Sequence, residues 1–358
     1  MSFLYSAEQE EFQDTLRKFF TDLLPSEYLH SRMARETATD DELWEAIEAL
    51  GLFPHFSENS DDSGSFHDLG LIAFESGRAL LSEPLVDALF ANCFALNRWA
   101  DKNSLTNLSN TAPMITERGL SNGELFISIS PPCGDLNIKK DSISGSLRFV
   151  PGAEAADGTL TFLGKDAYFI SHLDNPGGDL ISTNLESSLD RVLKYYTVNL
   201  SGVSATKLSN SNLANALLCL RALELAGCAE RALAMTVEFV QTRKQFGVPV
   251  GGFQAVQHKA AEMHLEVESI KQLGTFAAWS AENSPEQFEF AAKAAIAHAC
   301  EKAPKVIETA IQLHGGIGFT WEYDLHLFLR RVKMISSLWK PTESQALEYL
   351  EVAKKNIR

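Results

Sequence analysis

Paired cysteines, membrane-length apolar segments and basic tracts are all missing from this 358-residue sequence. Its five cysteines are scattered without a Cys-x-x-Cys pair, which favours reduced thiols over a disulfide framework or a metal site. No stretch of about 18 uncharged apolar residues occurs, so we expect no membrane span. With only 12 prolines and 22 glycines, the sequence excludes a collagen-like or proline-rich architecture.

The charge balance is strongly acidic. The sequence has 31 Lys and Arg residues against 47 Asp and Glu residues, a net charge of −16 and an isoelectric point near 5.0. Such a surface repels a phosphate backbone, so a nucleic acid is not expected as a partner. An anionic ligand must therefore be held by a few local cations and backbone dipoles.

The segment 1–11 has no basic start and no apolar core, which is unlike a signal peptide. It is also not rich in arginine, which is unlike a transit peptide. These features predict a cytoplasmic protein.

The apolar periodicity divides the sequence into three zones and predicts an α+β fold. Residues 1–122 show helical spacing and predict an N-terminal helical domain. Residues 123–208 show short alternating segments between turn signals, which predict a small β-sandwich or barrel domain. Residues 209–358 show long helical patterns, which predict a C-terminal bundle of the four-helix type.

The predicted elements can be given approximate bounds. In the first zone we predict helices at 8–24, 40–50, 69–81 and 84–99; in the second, strands at 126–130, 160–163 and 195–200; in the third, helices at 213–243, 253–280, 285–314, 323–337 and 341–355.

Two short stretches carry chemical information. Residues 243–250 read Arg-Lys-Gln-Phe-Gly-Val-Pro-Val and follow a long predicted helix, which alone is typical of C-terminal helix punctuation. Residues 312–322 interrupt the helical zone with three glycines in four positions. Glycine lets backbone amides approach a phosphate closely, although this turn does not have the strand–helix setting of a dinucleotide fingerprint.

Together and in this order, the patterns Arg-Lys-x-Phe-Gly and Gln-x-x-Gly-Gly-x-Gly-Phe resemble the acyl-CoA dehydrogenase family. Segments 68–85 and 321–327 add to the resemblance, which covers nearly the whole chain. The sequence looks like the bacterial branch of acyl-CoA and steroid side-chain catabolism, in which paired unlike subunits occur.

The resemblance implies FAD as the cofactor, bound between subunits. It implies that Arg243 pairs with the pyrophosphate, that Phe246 lines the adenine-side pocket, and that Gln312, Gly315 and Gly316 complete the diphosphate cradle. It further implies an acyl-CoA substrate, an electron-transfer acceptor, and assembly as a homo-oligomer or with an unlike acyl-CoA dehydrogenase subunit.

The family's catalytic base is a glutamate, and its two usual positions fall here on Trp339 and Leu217. Glu343 is four residues beyond the first position, about one helical turn, and is the candidate base. Glu224 lies two turns beyond the second position, where we expect it to pair with Arg221 or another cation.

The predicted β domain departs from the family pattern as well. The residues that correspond to the stretch against the flavin ring are 149–151, so Phe149 is the candidate for packing on the ring. Pro151 has neither a hydroxyl nor an N–H to offer the flavin. The adenine-side half of the site is therefore expected to be intact and the flavin-ring half to be degraded.

Other residues near the motifs have more ordinary expectations. His258 and His314 are expected to be packed or solvent-facing, and Trp339 is expected in the core. The basic residues Arg330, Arg331 and Lys333 either contact CoA phosphates or complement a helix dipole.

Three functions remain open from the sequence. The first is a flavoprotein that oxidises a CoA thioester at Cα–Cβ with hydride transfer to FAD. The second is a non-catalytic subunit of a heteromeric acyl-CoA dehydrogenase that completes a partner's FAD site. The third is other flavin chemistry, or acyl-CoA binding without flavin.

Overall fold

A computed structural model describes residues 3–57, 63–118, 125–139, 142–163, 166–175, 180–210 and 212–341, together with 346, 347, 349 and 354. Among these residues, no helix is both long enough and apolar enough to cross a membrane. The cytoplasmic location stays a prediction.

Helices dominate the chain before residue 119 and after residue 212. In chain order they are α1 (Ala7–Leu23), α2 (Ser26–Ala34), α3 (Asp41–Glu48), α4 (Leu52–Ser57), α5 (Phe66–Ala79), α6 (Leu85–Leu89), α7 (Lys102–Thr111), α8 (Pro113–Arg118), α9 (Leu213–Thr242), α10 (Gln254–Asn283), α11 (Pro285–His314) and α12 (Leu325–Trp339). A π-helix, Phe90–Arg98, continues α6, and two 3₁₀-helices occupy Val250–Gly252 and Gly315–Phe319. Each of α9, α10 and α11 has 30 residues.

The described strands form two sheets and a small ribbon. They are β1 (Ile127–Ile129), β2 (Gly134–Lys139), β3 (Ser142–Pro151), β4 (Gly158–Leu163), β5 (Asp166–Ser171), β6 (Ile181–Leu185), β7 (Tyr195–Ser204), β8 (Thr206–Leu208), β9 (Lys244–Gln245) and β10 (Val248–Pro249). One sheet has the order β1-β4-β5-β8, with β1 and β4 parallel, and the other has the antiparallel order β2-β3-β7-β6. The ribbon joins β9 and β10.

The residues group into two compact units, which are described separately. Unit 1 contains Met1–His30, Phe66–Leu81 and Asn215–Arg358. Its helices α5 and α9 approach each other closely because each carries a glycine at the contact. A Cβ on Gly77 would lie 2.0 Å from the carbonyl oxygen of Glu224, and one on Gly227 would lie 1.9 Å from that of Phe74. Any larger residue at either position would push the two helices apart.

Unit 2 contains Ser31–Ser65 and Ser82–Ala214 and includes both four-stranded sheets. One apolar cluster joins Ile170 of β5 to Leu147 of β3 and Val198 of β7, so the two sheets share a core. The alternation of buried residues in β3 and β7 suits strands that cover a core on one face. This arrangement agrees with the sandwich expected from the alternating sequence.

The predicted α+β class with a C-terminal helical bundle is confirmed, and several bounds need correction. Residues predicted as one helix over 84–99 divide into α6 and the π-helix, a change that apolar periodicity does not reveal. The predicted helix at 323–337 is α12, Leu325–Trp339, and most of the predicted helix at 341–355 lies outside the described residues. The division into domains 1–122, 123–208 and 209–358 stays a prediction.

Candidate functional site

The C-terminal end of α9 continues into a tight hairpin. The strands Lys244–Gln245 and Val248–Pro249 pair, and the N–H of Val250 donates to the carbonyl of Arg243 at 2.8 Å. The two turn residues, Phe246 and Gly247, have φ values of 52° and 82°, the backbone pattern of a type I′ hairpin turn. A phenylalanine in this left-handed region is strained by roughly 1–2 kcal/mol. A feature other than backbone preference must therefore explain the residue at this turn.

The phenyl ring of Phe246 projects into solvent from this hairpin. It is 94% exposed, and its nearest described aromatic neighbour is Phe253, with ring centroids 6.3 Å apart. Exposure of a whole aromatic ring has no stabilising effect on the folded chain. A strained backbone that presents an exposed ring is typical of a binding element.

Arg243 is exposed at the base of the hairpin. Its backbone N–H donates to the carbonyl of Phe239 at 2.9 Å. Its guanidinium makes no ion pair or side-chain hydrogen bond with any residue in the described ranges. In a chain with a net charge of −16, this leaves the planar fork available for an external anion.

The glycine-rich turn follows α11. Gly315 has φ 66° and ψ −139°, and a Cβ built on Gly315 or Gly316 would meet no atom within 4 Å. Gly318 differs, because a Cβ there would lie 2.8 Å from the carbonyl oxygen of Ile311. The first two glycines therefore leave open space beside the backbone, whereas the third permits close packing on α11.

Gln312 lies one turn before these glycines on α11 and is exposed. Its Oε1 accepts from Nζ of Lys259 at 3.5 Å. This long contact leaves the amide able to turn towards a ligand. The side chain and the two open glycines therefore form a surface on which backbone and side-chain donors are accessible.

Two rings join the hairpin end of α9 to the turn after α11. His314, the last residue of α11, stacks on Phe239 of α9 with centroids 4.3 Å apart and planes inclined by 23°. Nδ1 of His314 donates to the carbonyl of Ala310 at 2.7 Å, and its Nε2 lies 3.0 Å from the hydroxyl of Tyr323. Burial lowers the pKa of His314, so the imidazole is neutral at neutral pH. The expectation that His314 is a packed residue is confirmed, and the exposed His258 faces solvent as expected.

Both ends of this site carry exposed apolar side chains that the sequence did not identify as a surface. The exposed set comprises Phe246 at 94%, Phe319 at 75%, Trp321 at 56%, Ile317 at 46%, Val248 at 45% and Phe253 at 38%. Apolar side chains concentrated at the ends of two helices are typical of a surface that another molecule covers. The glycine spacing in 312–322 indicated an open turn at this place. The exposure of the neighbouring apolar side chains, however, cannot be predicted from residue spacing.

Phe149 belongs to unit 2 and lies in a β-bulge. The register between β3 and β7 shifts between Leu147 and Val150, and Phe149 has φ 55°. Its half-buried ring is covered on one side by the guanidinium of Arg148, 4.9 Å from the ring centroid. Packing of Phe149 on a flavin ring stays a prediction.

The family's two base positions hold buried non-acidic side chains. Leu217 is 0% exposed and Trp339 is 8% exposed, so the expectation that Trp339 packs in the core is confirmed. Glu343 lies outside the described residues.

Along α9, Glu224 is the described carboxylate nearest in sequence to Leu217. It forms ion pairs with two arginines. Its oxygens accept from Arg221 at 2.9 Å and from Arg331 at 3.4 Å, and all three side chains are buried. Arg331 also donates to the carbonyl of Leu81 at 3.0 Å. The expectation that Glu224 is an ion-pair partner is confirmed, because a carboxylate that neutralises two buried cations is poorly suited to accept a proton.

The basic residues around Arg331 do not form one open patch. Arg331 is buried beside Glu224, Lys333 pairs with Glu308 at 2.6 Å, and the guanidinium of Arg330 lies 5.3 Å from the ring centroid of Trp321. In the described part of the chain, no group of three or more His, Cys, Asp or Glu residues is arranged to hold a metal ion.

Residues 207–343 match the family model described as "Acyl-CoA dehydrogenase, C-terminal domain". The sequence is 24% identical over 347 residues to acyl-CoA dehydrogenase IpdE2 from Mycolicibacterium smegmatis, covering 95% of this chain and 97% of that one. The acyl-CoA dehydrogenase FadE34 of Mycobacterium tuberculosis matches at 28% identity over 271 residues, which cover 75% of this chain and 35% of that one.

Solved structures share the fold. The steroid acyl-CoA dehydrogenase Tcur3481-Tcur3483, as a G363A variant, has a TM-score of 0.82 at 23% identity, with 98% of both chains covered. The ChsE4-ChsE5 complex from Mycobacterium tuberculosis has a TM-score of 0.78 at 18% identity, covering 100% of this chain and 99% of that chain. An FAD complex of PigA has a TM-score of 0.75 at 18% identity, covering 99% of each chain.

Proposed function

We propose that this chain, whose residues 207–343 match the acyl-CoA dehydrogenase C-terminal domain, is a subunit of a heteromeric acyl-CoA dehydrogenase that completes the FAD site of a catalytic partner. The observation that carries the proposal is the stack of His314 on Phe239, which brings the hairpin after α9 and the glycine turn after α11 to one place. Both elements then present open donors to the same ligand.

The residues at this place fit the diphosphate of FAD. Arg243 supplies an unpaired guanidinium, which forms two parallel charge-assisted hydrogen bonds to a phosphate. Gly315 and Gly316 leave open the space that a Cβ would fill, so backbone N–H groups are accessible to phosphate oxygens. Gln312 would add a side-chain amide donor, and Phe246 would offer a ring face to the adenine.

Bound FAD would supply a two-electron acceptor for the hydride that leaves Cβ of an acyl-CoA thioester. In this proposal the chain binds and orients the adenine end. Its guanidinium neutralises the diphosphate in an acidic protein, and the exposed apolar side chains exclude water once a neighbouring subunit covers them.

The proton at Cα must be removed by a carboxylate, and this chain offers none at the family positions that the structure describes. Leu217 and Trp339 occupy those positions, and Glu224 is held by Arg221 and Arg331. We therefore assign the base to an unlike partner subunit. The names of the ChsE4-ChsE5 complex and of Tcur3481-Tcur3483 each join two different proteins, which supports a heteromer here.

The alternative is an enzyme that is active as a homo-oligomer, with Glu343 as its base. Its support is the place of Glu343 in the sequence, four residues after Trp339. In that case the purified chain would bind FAD and oxidise an acyl-CoA without a partner.

Purification of the chain alone and with each candidate partner, followed by visible spectroscopy, tests the proposal. We expect a colourless chain alone and a yellow complex that an acyl-CoA bleaches. Within that complex, Arg243→Met should release FAD, Arg243→Lys should retain it weakly, and Lys244→Met, an exposed neighbouring cation, should retain it fully. A yellow single chain whose turnover is lost in Glu343→Gln would contradict the proposal and support the alternative.

A further inference from the structure

A cavity of about 420 Å³ opens in unit 2, between the end of α2 and the connection from β6 to β7. Its lining includes residues 33–36 on one side and residues 185–188, 190, 191, 194 and 195 on the other. Three of the lining residues are cations, namely Arg35, Arg191 and Lys194. No part of the site described above shares these residues.

Lys194 is the unusual cation among them because it is buried. Its side chain is only 8% exposed, and its Nζ donates to the carbonyls of Arg191 at 2.8 Å and Met33 at 3.4 Å. Within the described ranges, no carboxylate forms an ion pair with it. A buried ammonium normally requires an opposite charge, since carbonyl dipoles offset only part of the lost hydration.

A second buried cation adds to the positive charge. Arg32 is 0% exposed, and its Nη2 donates to the carbonyl of Ala38 at 2.9 Å. Its Nε and Nη1 are buried without a hydrogen-bond partner in the described structure. Unsatisfied buried N–H groups of a charged side chain are costly. The buried carboxyl of Glu83 lies within electrostatic range of this guanidinium.

The cations lie close enough for their positive charges to repel each other. The pKa of Lys194 is lowered to about 8, first by burial and then by the positive charges of Arg32 and Arg191. Asp190 and Glu36 act in the opposite direction with smaller effect, and the side chain of Asp190 accepts from the backbone N–H groups of Val192 and Leu193.

Two further carboxylates near the cavity already have cationic partners. Glu186 binds Arg148 at 3.0 and 3.2 Å, and Asp40 binds Arg35. Glu36 and Asp190 also line the cavity, so its three cations are matched by three carboxylates. At Lys194 itself, however, the positive charges of Arg32 and Arg191 outweigh the negative charges of Asp190 and Glu36.

We propose that this cavity is a phosphate-group binding site, in which Lys194 and Arg191 contact the anion and Arg32 supports it from the protein interior. A phosphate oxygen is a strong acceptor for ammonium and guanidinium donors, and its charge offsets the repulsion among the three cations. The group is either free phosphate or the phosphate ester of a nucleotide. Because every residue of the site lies in unit 2, the proposal is independent of Arg243 and the FAD half-site in unit 1.

Thermal unfolding of the full chain in inorganic phosphate, against chloride at equal ionic strength, is the first test. At about ten times the Kd we expect the Tm to rise by about 2–4 °C. Lys194→Met and Arg191→Gln should remove this shift. Lys207→Met should retain it, because Lys207 is an exposed lysine of the same unit that pairs with Asp166. Arg191 is exposed, so Arg191→Gln keeps the test valid if Lys194→Met does not fold.

Calorimetry provides a readout that a merely structural lysine would not change. Phosphate should raise the pKa of Lys194, so binding near pH 8 should take up protons in the wild type and not in Lys194→Met. Separate titrations with adenosine 3′,5′-bisphosphate and with inorganic phosphate show whether the bound phosphate group belongs to a nucleotide or is free phosphate. Tighter binding of the bisphosphate would identify a nucleotide as the ligand, and tighter binding of inorganic phosphate would identify the free anion. An absent phosphate shift in the wild type, or one that survives in both variants, would overturn the proposal.

Discussion

The imidazole of His314 stacks on the phenyl ring of Phe239 with centroids 4.3 Å apart, although the two residues are 75 positions apart in the sequence. Phe239 also accepts the backbone N–H of Arg243, and His314 directly precedes Gly315. This one ring pair therefore connects the helix that ends next to Arg243 with the helix that ends at the open glycines. The predictions below begin with that contact.

Removing the imidazole should weaken both the fold and ligand binding. His314→Ala loses the ring stack and the hydrogen bonds to Ala310 and Tyr323, which together are worth about 2–3 kcal/mol. We expect urea unfolding to show this loss in the free energy of unfolding. His314→Phe keeps the stack and should fall between the wild type and alanine. Equal stability of all three chains would show that the pair does not join the two helices.

Phe246 should matter for binding and not for folding. Because its ring is 94% exposed and its φ is 52°, Phe246→Asn should leave the chain as stable as the wild type or more stable by about 1 kcal/mol. The same variant should lose FAD binding and association with a partner subunit, measured by flavin absorbance and by light scattering. Retained assembly together with retained flavin would remove Phe246 from the binding surface.

Gly316 and Gly318, two of the three glycines in the turn, should respond differently to alanine. Gly316→Ala places a methyl group in open space, so its stability should stay within about 0.5 kcal/mol of the wild type while FAD affinity falls. Gly318→Ala places a methyl group 2.8 Å from the carbonyl of Ile311 and should lower thermal stability. Differential scanning calorimetry of the chain and a flavin titration of its complex with the partner separate the two effects. Unchanged flavin binding by Gly316→Ala would contradict the cradle.

Glu224 should be structural. Glu224→Ala leaves the buried cations Arg221 and Arg331 without their carboxylate, which should lower the free energy of unfolding by about 3–5 kcal/mol. The double variant Glu224→Gln with Arg331→Met should recover part of the loss, because it removes a buried charge as well. A stable Glu224→Gln complex with abolished turnover would instead identify Glu224 as a catalytic base.

Glu83 should produce a stability loss with rising pH. This carboxyl is 3% exposed, and burial raises its pKa from 4.5 to about 7 despite the nearby positive charge of Arg32. The unfolded chain therefore releases the proton first, so the contribution is full below about pH 4.5 and is lost as the pH rises to about 7.

Over this pH range the free energy of unfolding should fall by at most about 3 kcal/mol. Glu83→Gln should remove it while retaining acceptors for the N–H of Asp40 and the hydroxyl of Ser82. Urea unfolding at several pH values is the measurement, and parallel pH curves for the two chains would refute the raised pKa.

Much of the secondary structure could be predicted from the sequence because its signals are local. The apolar spacing and terminal residues placed α9 at 213–243, and the structure has it at Leu213–Thr242. The π-helix Phe90–Arg98 was missed, since all-round burial removes the periodic contrast on which the method depends. The short strands β9 and β10 were also missed, because two residues carry too little pattern.

Local patterns in the sequence were enough to predict the order of helical and β zones and to show the resemblance to the acyl-CoA dehydrogenase family. The tertiary structure alone decided that His314 meets Phe239, that Arg221 and Arg331 hold Glu224, and that Arg32 and Lys194 are buried in one unit. The reason is physical. A helix fixes its residues at about 1.5 Å per position through bonds between near neighbours. Contacts across distant positions depend on how whole helices and sheets pack, and that packing also sets burial, charge pairing and pKa.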